Sequence, residues 1–168
     1  MGKPRRASRG RTPASEESHA RQTPQQIGMA HHKKGELGEL AFLCKATSLG
    51  FALSLPYGHV QRYDFVVEGG GNLWRVQVKS AAFLESGLYH VGIRHSTKRK
   101  AKPYTESEID FVAVYIIPEE TWYILPVREV VGRQTFLFRP KGYNRRDPYA
   151  HYREAWHLLR EPDGLVFG

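Results

Sequence analysis

The chain has 168 residues, enough for one domain with a core, and 40% of them are hydrophobic, with three Trp, nine Tyr and eight Phe. That composition excludes disorder throughout, and a formal charge of +8 favours an anionic partner, nucleic acid ahead of an acidic membrane surface. A single cysteine, Cys44, excludes an internal disulfide framework and a cysteine-rich zinc site.

No apolar run approaches membrane-spanning length, and the amino terminus lacks the apolar core of a signal peptide. The expected location is therefore intracellular, in the cytoplasm, with no membrane partner. Residues 1–30 are basic, rich in Ser and Pro and nearly free of large apolar side chains. They cannot bury enough surface to offset their ordering entropy, so they are expected to be a disordered basic tail. The tail is either a solvated segment or an arm adding non-specific phosphate contacts. A further reading is that translation begins at Met29. The folded domain is expected over 31–162, followed by a short tail over 163–168.

From Lys33 the pattern turns helical. Leu37, Leu40, Ala41, Cys44 and Leu49 form an apolar stripe at helical spacing, Gly50 is a natural stop, and Cys44 is expected to be a buried structural thiol. Glu36 and Glu39 near the start complement the helix dipole. Phe51 to Pro56 is short and apolar, and Pro56-Tyr57-Gly58 makes a loop.

Next come two runs rich in β-branched and aromatic residues, Arg62 to Val67 and Leu73 to Ser80, around the turn Glu68-Gly69-Gly70-Gly71-Asn72. A hairpin folded about Gly70 and Gly71 brings Asp64 opposite Gln77, with Lys79 on the same face. Phe65, Val67, Trp74, Val76 and Val78 then fall on the reverse. Leu88 to His95 alternates as a third strand of that sheet and leads into the basic loop Ser96 to Pro103. Phe111 to Ile117 and Thr121 to Leu125 read as a second hairpin, with Trp122 and Tyr123 as packing residues. Pro126 to Val131 suits a helical turn and Thr135 to Arg139 an edge strand. Pro140 to Arg146 is a basic, aromatic loop. Tyr149 to Arg160 reads as an amphipathic closing helix, with Tyr152, Ala155, Trp156 and Leu159 on one face.

Asp64 and a helix-borne Glu39 are oxygen donors suited to a hard divalent cation; the Gln77 amide and the Val78 carbonyl would add neutral oxygens. A cation there would polarise a phosphoryl oxygen and acidify a water, and Lys79 would orient that water or stabilise developing charge. On spacing alone the favoured reading is an ordinary cross-strand ion pair between Asp64 and Lys79 with Gln77 beside it, because such pairs are common on exposed sheet faces.

Asp64, twelve intervening residues and then Gln77-Val78-Lys79 after a Gly-rich turn resemble the bipartite signature of the PD-(D/E)XK nucleases. Lys34-Gly35-Glu36-Leu37-Gly38-Glu39 looks like the helix carrying that superfamily's additional acid, which maps to Glu39. Gln in place of the second acid, followed by Val-Lys-Ser, resembles the group I intron-associated members. So do the stretches Glu108 to Tyr115, Thr121 to Pro126 and Tyr152 to Trp156. Tyr63 stands where the superfamily has proline, and Gln77 removes a negative charge beside the cation.

The resemblance implies an α/β fold with a restriction-endonuclease-like αβββαβ core, a mixed central sheet flanked by helices. It implies a Mg²⁺-dependent, homing-endonuclease-like DNA endonuclease, with Mn²⁺ as substitute. Asp64 would be the direct ligand, Glu39 would act through water, Gln77 would be a neutral ligand or water-positioning group, and Lys79 the orienting or charge-stabilising group. Lys98, Arg99, Lys100 and Lys102 are the expected phosphate contacts. Cutting both strands requires two sites, hence a homodimer or larger assembly. The rival readings are a DNA-binding module with this fold and little or no turnover, and a junction- or RNA-directed nuclease.

Overall fold

Helix α1 runs over Pro24–Ser48 in the computed structural model, which describes residues 24–58, 60–96, 101–141 and 146–161, with helix side chains from Lys33 onward. The helix begins inside the stretch read as tail; residues 1–23 lie outside the described ones. Its inward face differs from the stripe of leucines. Gly38, Phe42 and Ala46 are buried at one-turn spacing, whereas Leu37 and Leu40 are 49% and 60% exposed and Cys44 is exposed rather than buried. Close approach decides the phase. A Cβ on Gly38 would lie 3.1 Å from Ser80 Cβ, so the backbone of α1 rests directly on the sheet.

The sheet beneath is built on the expected hairpin. β2 (Phe65–Gly69) and β3 (Asn72–Ala81) pair antiparallel, with Phe65 across from Val76 and Gly69 across from Asn72. Gly70 and Gly71, at φ +60° and +79°, make the turn. β1 (Ala52–Ser54) lies outside β2. β8 (Phe111–Ile116) runs parallel to β3, and β9 (Thr121–Pro126) returns beside it, giving the order β1-β2-β3-β8-β9. The result is a mixed central sheet in an α/β protein.

A parallel pair needs a long crossover. The described residues between β3 and β8 carry β4 (Leu84–Glu85), β5 (Leu88–Gly92), β6 (His95–Ser96) and β7 (Ala101–Lys102), and no helix. β5 does not extend the central sheet, because β2 and β8 already occupy both edges of β3. Instead it pairs with β4 and with β10 (Thr135–Phe138), while the short helix α2 (Val127–Val130) bridges β9 and β10. Tyr89, Val91 and Ile93 turn inward, as the alternation predicts.

Two layers sandwich the central sheet. On the α1 side, the Phe42 ring lies 5.2 Å from Phe65 and 5.6 Å from both Trp122 and Trp156. On the other side, Tyr123 meets Phe138 at 4.5 Å between ring centroids. Trp122 and Tyr123 are packing residues as expected, 3% and 0% exposed.

The closing segment is not one helix. It makes two 3-10 turns, Ala150–Tyr152 and Trp156–Leu159, broken at Glu154, where φ is +51°. Glu154 pairs with the edge of β9 instead: its N–H donates to Trp122 O at 2.8 Å and its Oε1 accepts the Trp122 N–H at 2.8 Å. The apolar side chains stay buried even so, and the backbone is satisfied in two ways. The strand edge takes the Glu154 N–H, and the 3-10 turns close their own bonds, such as Arg153 N–H to Ala150 O and Leu158 N–H to Ala155 O. Trp74 Nε1 donates to Leu159 O at 3.1 Å, tying the end of the chain to the hairpin.

Candidate functional site

Asp64 sits one residue ahead of β2, its N–H donating to Val76 O at 2.9 Å. Its carboxylate turns toward β3, where Oδ2 accepts the Val78 N–H at 2.7 Å and a short bond from Gln77 Nε2. The same Gln77 nitrogen donates to Val78 O at 3.1 Å. Gln77 is 8% exposed, so its amide meets these partners out of reach of bulk water. Burial raises the Asp64 carboxyl above its ordinary 3.8. The Val78 N–H, the Lys79 charge and the Gln77 amide oppose that rise.

Lys79, two residues on, is half-buried on the same face. Burial lowers its ammonium below the usual lysine value, while the charges of Asp64 and Glu39 pull it back up. Its Nζ lies 5.5 Å from the centroid of the Tyr104 ring, a cation–π contact. Tyr104 is 2% exposed, and burial, with Asp64 next in weight, pushes its hydroxyl well above the usual tyrosine range.

Glu39 arrives from the helix. It follows Gly38, the point of closest approach to β3, and Ser80 Oγ donates to Lys34 O at 2.9 Å one turn earlier. Pinned in this way, α1 presents an exposed Glu39 to a cavity of about 400 Å³ that Asp64 also lines, together with Leu55, Pro56, Gly58, Gln61 and Tyr63. Asp64, Gln77, Val78 and Lys79 are thus brought together on one ribbon, with Glu39 at its rim.

The donors at hand are two carboxylates, an amide and a backbone carbonyl. Among the described residues no three His, Cys, Asp or Glu side chains cluster as a metal site. The set therefore suits a hard cation that takes one or two carboxylates and keeps water in its other positions, rather than a borderline metal needing nitrogen or sulfur.

Of the expected phosphate contacts, Lys98, Arg99 and Lys100 lie outside the described residues. Lys102 is exposed on β7, paired across from His95. In the second basic loop Lys141 is held by Glu119 at 3.0 Å, and residues 142–145 lie outside the described ones. Sequence reasoning missed Tyr104 and the cavity rim of Leu55, Pro56, Gln61 and Tyr63. Only Tyr63 carried a signal, through its place immediately before Asp64.

No curated protein matches the chain. A solved structure titled as that of a bacterial homing endonuclease, I-Ssp6803I, superposes with a TM-score of 0.68 at 30% sequence identity, covering 76% of this chain and 91% of that one. Enzymes of the PD-(D/E)XK group generally use divalent metals, in keeping with the oxygen donors gathered here. The sequence profile of the PD-(D/E)XK endonucleases matches residues 29–159, almost the whole described region, and the chain belongs to that family.

Proposed function

We propose that this chain is a Mg²⁺-dependent endonuclease that hydrolyses phosphodiester bonds in DNA, with Mn²⁺ able to replace Mg²⁺. The observation that carries this reading is the convergence of Asp64, Gln77, Val78 and Lys79 on one ribbon beside a cavity shared with Glu39. Asp64 and the Val78 carbonyl would hold the cation directly, Glu39 would act through water, and the Gln77 amide would be a neutral ligand or would place water. The cation, when bound, supplies Lewis acidity toward a phosphoryl oxygen and lowers the pKa of water.

The rest falls to the chain itself. The Val78 N–H fixes the Asp64 rotamer, and the Lys79 ammonium stabilises negative charge developing on the phosphoryl group. Half-burial makes that ammonium more effective than a solvated one, because less water screens it. Lys98, Arg99, Lys100 and Lys102 position the DNA backbone without reading sequence. Two strands need two such sites, so the working enzyme is a homodimer or larger assembly.

A supercoiled-plasmid assay tests the proposal. Wild type nicks in Mg²⁺ and Mn²⁺ and stops in EDTA, while Asp64→Ala and Lys79→Ala bind DNA at the same salt without nicking. The replacement of an acid by Gln77 supports a second reading, a DNA-binding module without turnover. If all three proteins bind and none cleaves, that reading replaces the first.

A further inference from the structure

We infer that the Gln77 amide and the cation compete for the same two oxygens: without cation the amide nitrogen bridges Asp64 and the Val78 carbonyl, and it turns over when a cation binds. The inference rests on the cation site proposed above. Gln77 Nε2 donates both to Asp64 Oδ2 and, at 3.1 Å, to Val78 O. Those are two of the atoms that would ligate the ion. A nitrogen carrying two partly positive hydrogens therefore stands between them as the ion would.

The arrangement answers a need of the cation-free chain. A partly buried carboxylate beside a backbone carbonyl presents lone pairs to lone pairs, and buried acceptors left without a donor are destabilising. A glutamate at position 77 has no hydrogen to offer when ionised and would add a second negative charge. A glutamine supplies the donor and leaves the strand ordered in the absence of metal.

Both groups cannot hold the same lone pairs at once. The Gln77 stem is fixed by β3, which pairs with β2 on one edge and with β8 on the other, where Gln77 lies opposite Val112. With the stem buried, the amide cannot swing into solvent. The remaining freedom is rotation of the terminal amide, which exchanges Nε2 for Oε1. One side chain then serves as donor in the empty site and as acceptor in the filled one. In this account Gln77 is a positioning residue for Asp64 until the cation arrives, and part of the cation's affinity goes into breaking two hydrogen bonds.

The test is an NMR titration of the full-length, ¹⁵N-labelled 19.2 kDa chain with MgCl₂. The Gln77 side-chain amide pair is identified by its absence in Gln77→Met, or by sequential assignment if that variant does not fold. Without Mg²⁺ the pair should be protected from solvent exchange. On titration it should shift and lose protection with the same midpoint as the Val78 N–H. If Val78 responds while the Gln77 pair keeps its shift and protection, the inference fails and the cation site stands. A Gln77 pair already unprotected before Mg²⁺ also overturns the inference. If neither Gln77 nor Val78 responds to excess Mg²⁺, the cation site itself is lost and the inference with it.

Discussion

Arg75 and Asp110 clasp each other across the start of the parallel pair, Nη2 to Oδ1 at 2.7 Å and Nε to Oδ2 at 3.0 Å. The Arg75 N–H also donates to Oδ2 at 2.7 Å, and the Asp110 N–H returns a bond to Arg75 O at 2.9 Å. Four bonds therefore fix where β8 begins relative to β3, two residues before Gln77. The pair is about a quarter to a third exposed, so solvent weakens the charge attraction and the hydrogen bonds carry most of its worth. Asp110→Ala should lower unfolding stability by about 1.5–3 kcal/mol, the range for hydrogen bonds to charged groups. Urea denaturation would read it as a lower midpoint at unchanged slope.

Gly38 sets the distance between α1 and β3. Gly38→Val adds bulk where a Cβ alone would lie 3.1 Å from Ser80 Cβ, and overpacking of this kind costs about 1–3 kcal/mol. The helix must then shift, carrying Glu39 with it, so plasmid nicking should fall as well. Ser80→Gly removes the obstructing atoms but also the bond to Lys34 O. The double variant should therefore be more stable than the sum of the two singles by about 0.5 kcal/mol or more. Additive losses would mean that the helix does not rest on this contact.

How much of this was legible follows from what each signal measures. The hairpin register was readable because a glycine turn and two alternating runs admit few pairings, and a slip would have buried Asp64, Gln77 and Lys79 on the wrong face. The phase of α1 was misread because hydrophobicity pointed to Leu37 and Leu40, whereas contact is made through Gly38, which has no side chain to score. The closing segment kept its apolar pattern but not its helix, since Glu154 bonds to a strand edge distant in sequence. The strand at Leu88 was legible, but its sheet was misassigned for the same cause: β5 finds its partner in β10, beyond the range of any local pattern. Asp64, Gln77 and Lys79 lie within one hairpin, so their convergence was legible from local pattern alone. Tyr104 reaches Lys79 only through the tertiary fold.

Burial raises the Asp64 carboxyl in the folded chain above its unfolded value near 3.8, against the pull of the Val78 N–H, Lys79 and Gln77. A carboxyl shifted in that sense contributes stability that is full below the unfolded value and is lost as pH rises through the folded one. In EDTA, Asp64→Asn should therefore be more stable than wild type at neutral pH. The difference in Tm should open across that window and then level off. Adding Mg²⁺ should narrow the gap, because only wild type gains stability from binding. A variant less stable than wild type in EDTA at pH 7 would mean that the ionised carboxylate is favoured by its neighbours.

Tyr104 meets Lys79 through its ring: Nζ lies 5.5 Å from the ring centroid. Tyr104→Phe retains the aromatic face and should nick plasmid at nearly the wild-type rate. Tyr104→Leu fills similar space without a quadrupole. It gives up a contact worth about 0.5–2 kcal/mol, or roughly a twofold to thirtyfold range in rate if the ammonium drifts from its working position. The effect should fall on kcat, with DNA affinity at fixed salt unchanged, as the charge-stabilising role proposed for Lys79 requires. A merely structural Tyr104 would show itself as equal losses in Phe and Leu variants that track their Tm. Rescue by Phe, with KM held constant, separates positioning from packing.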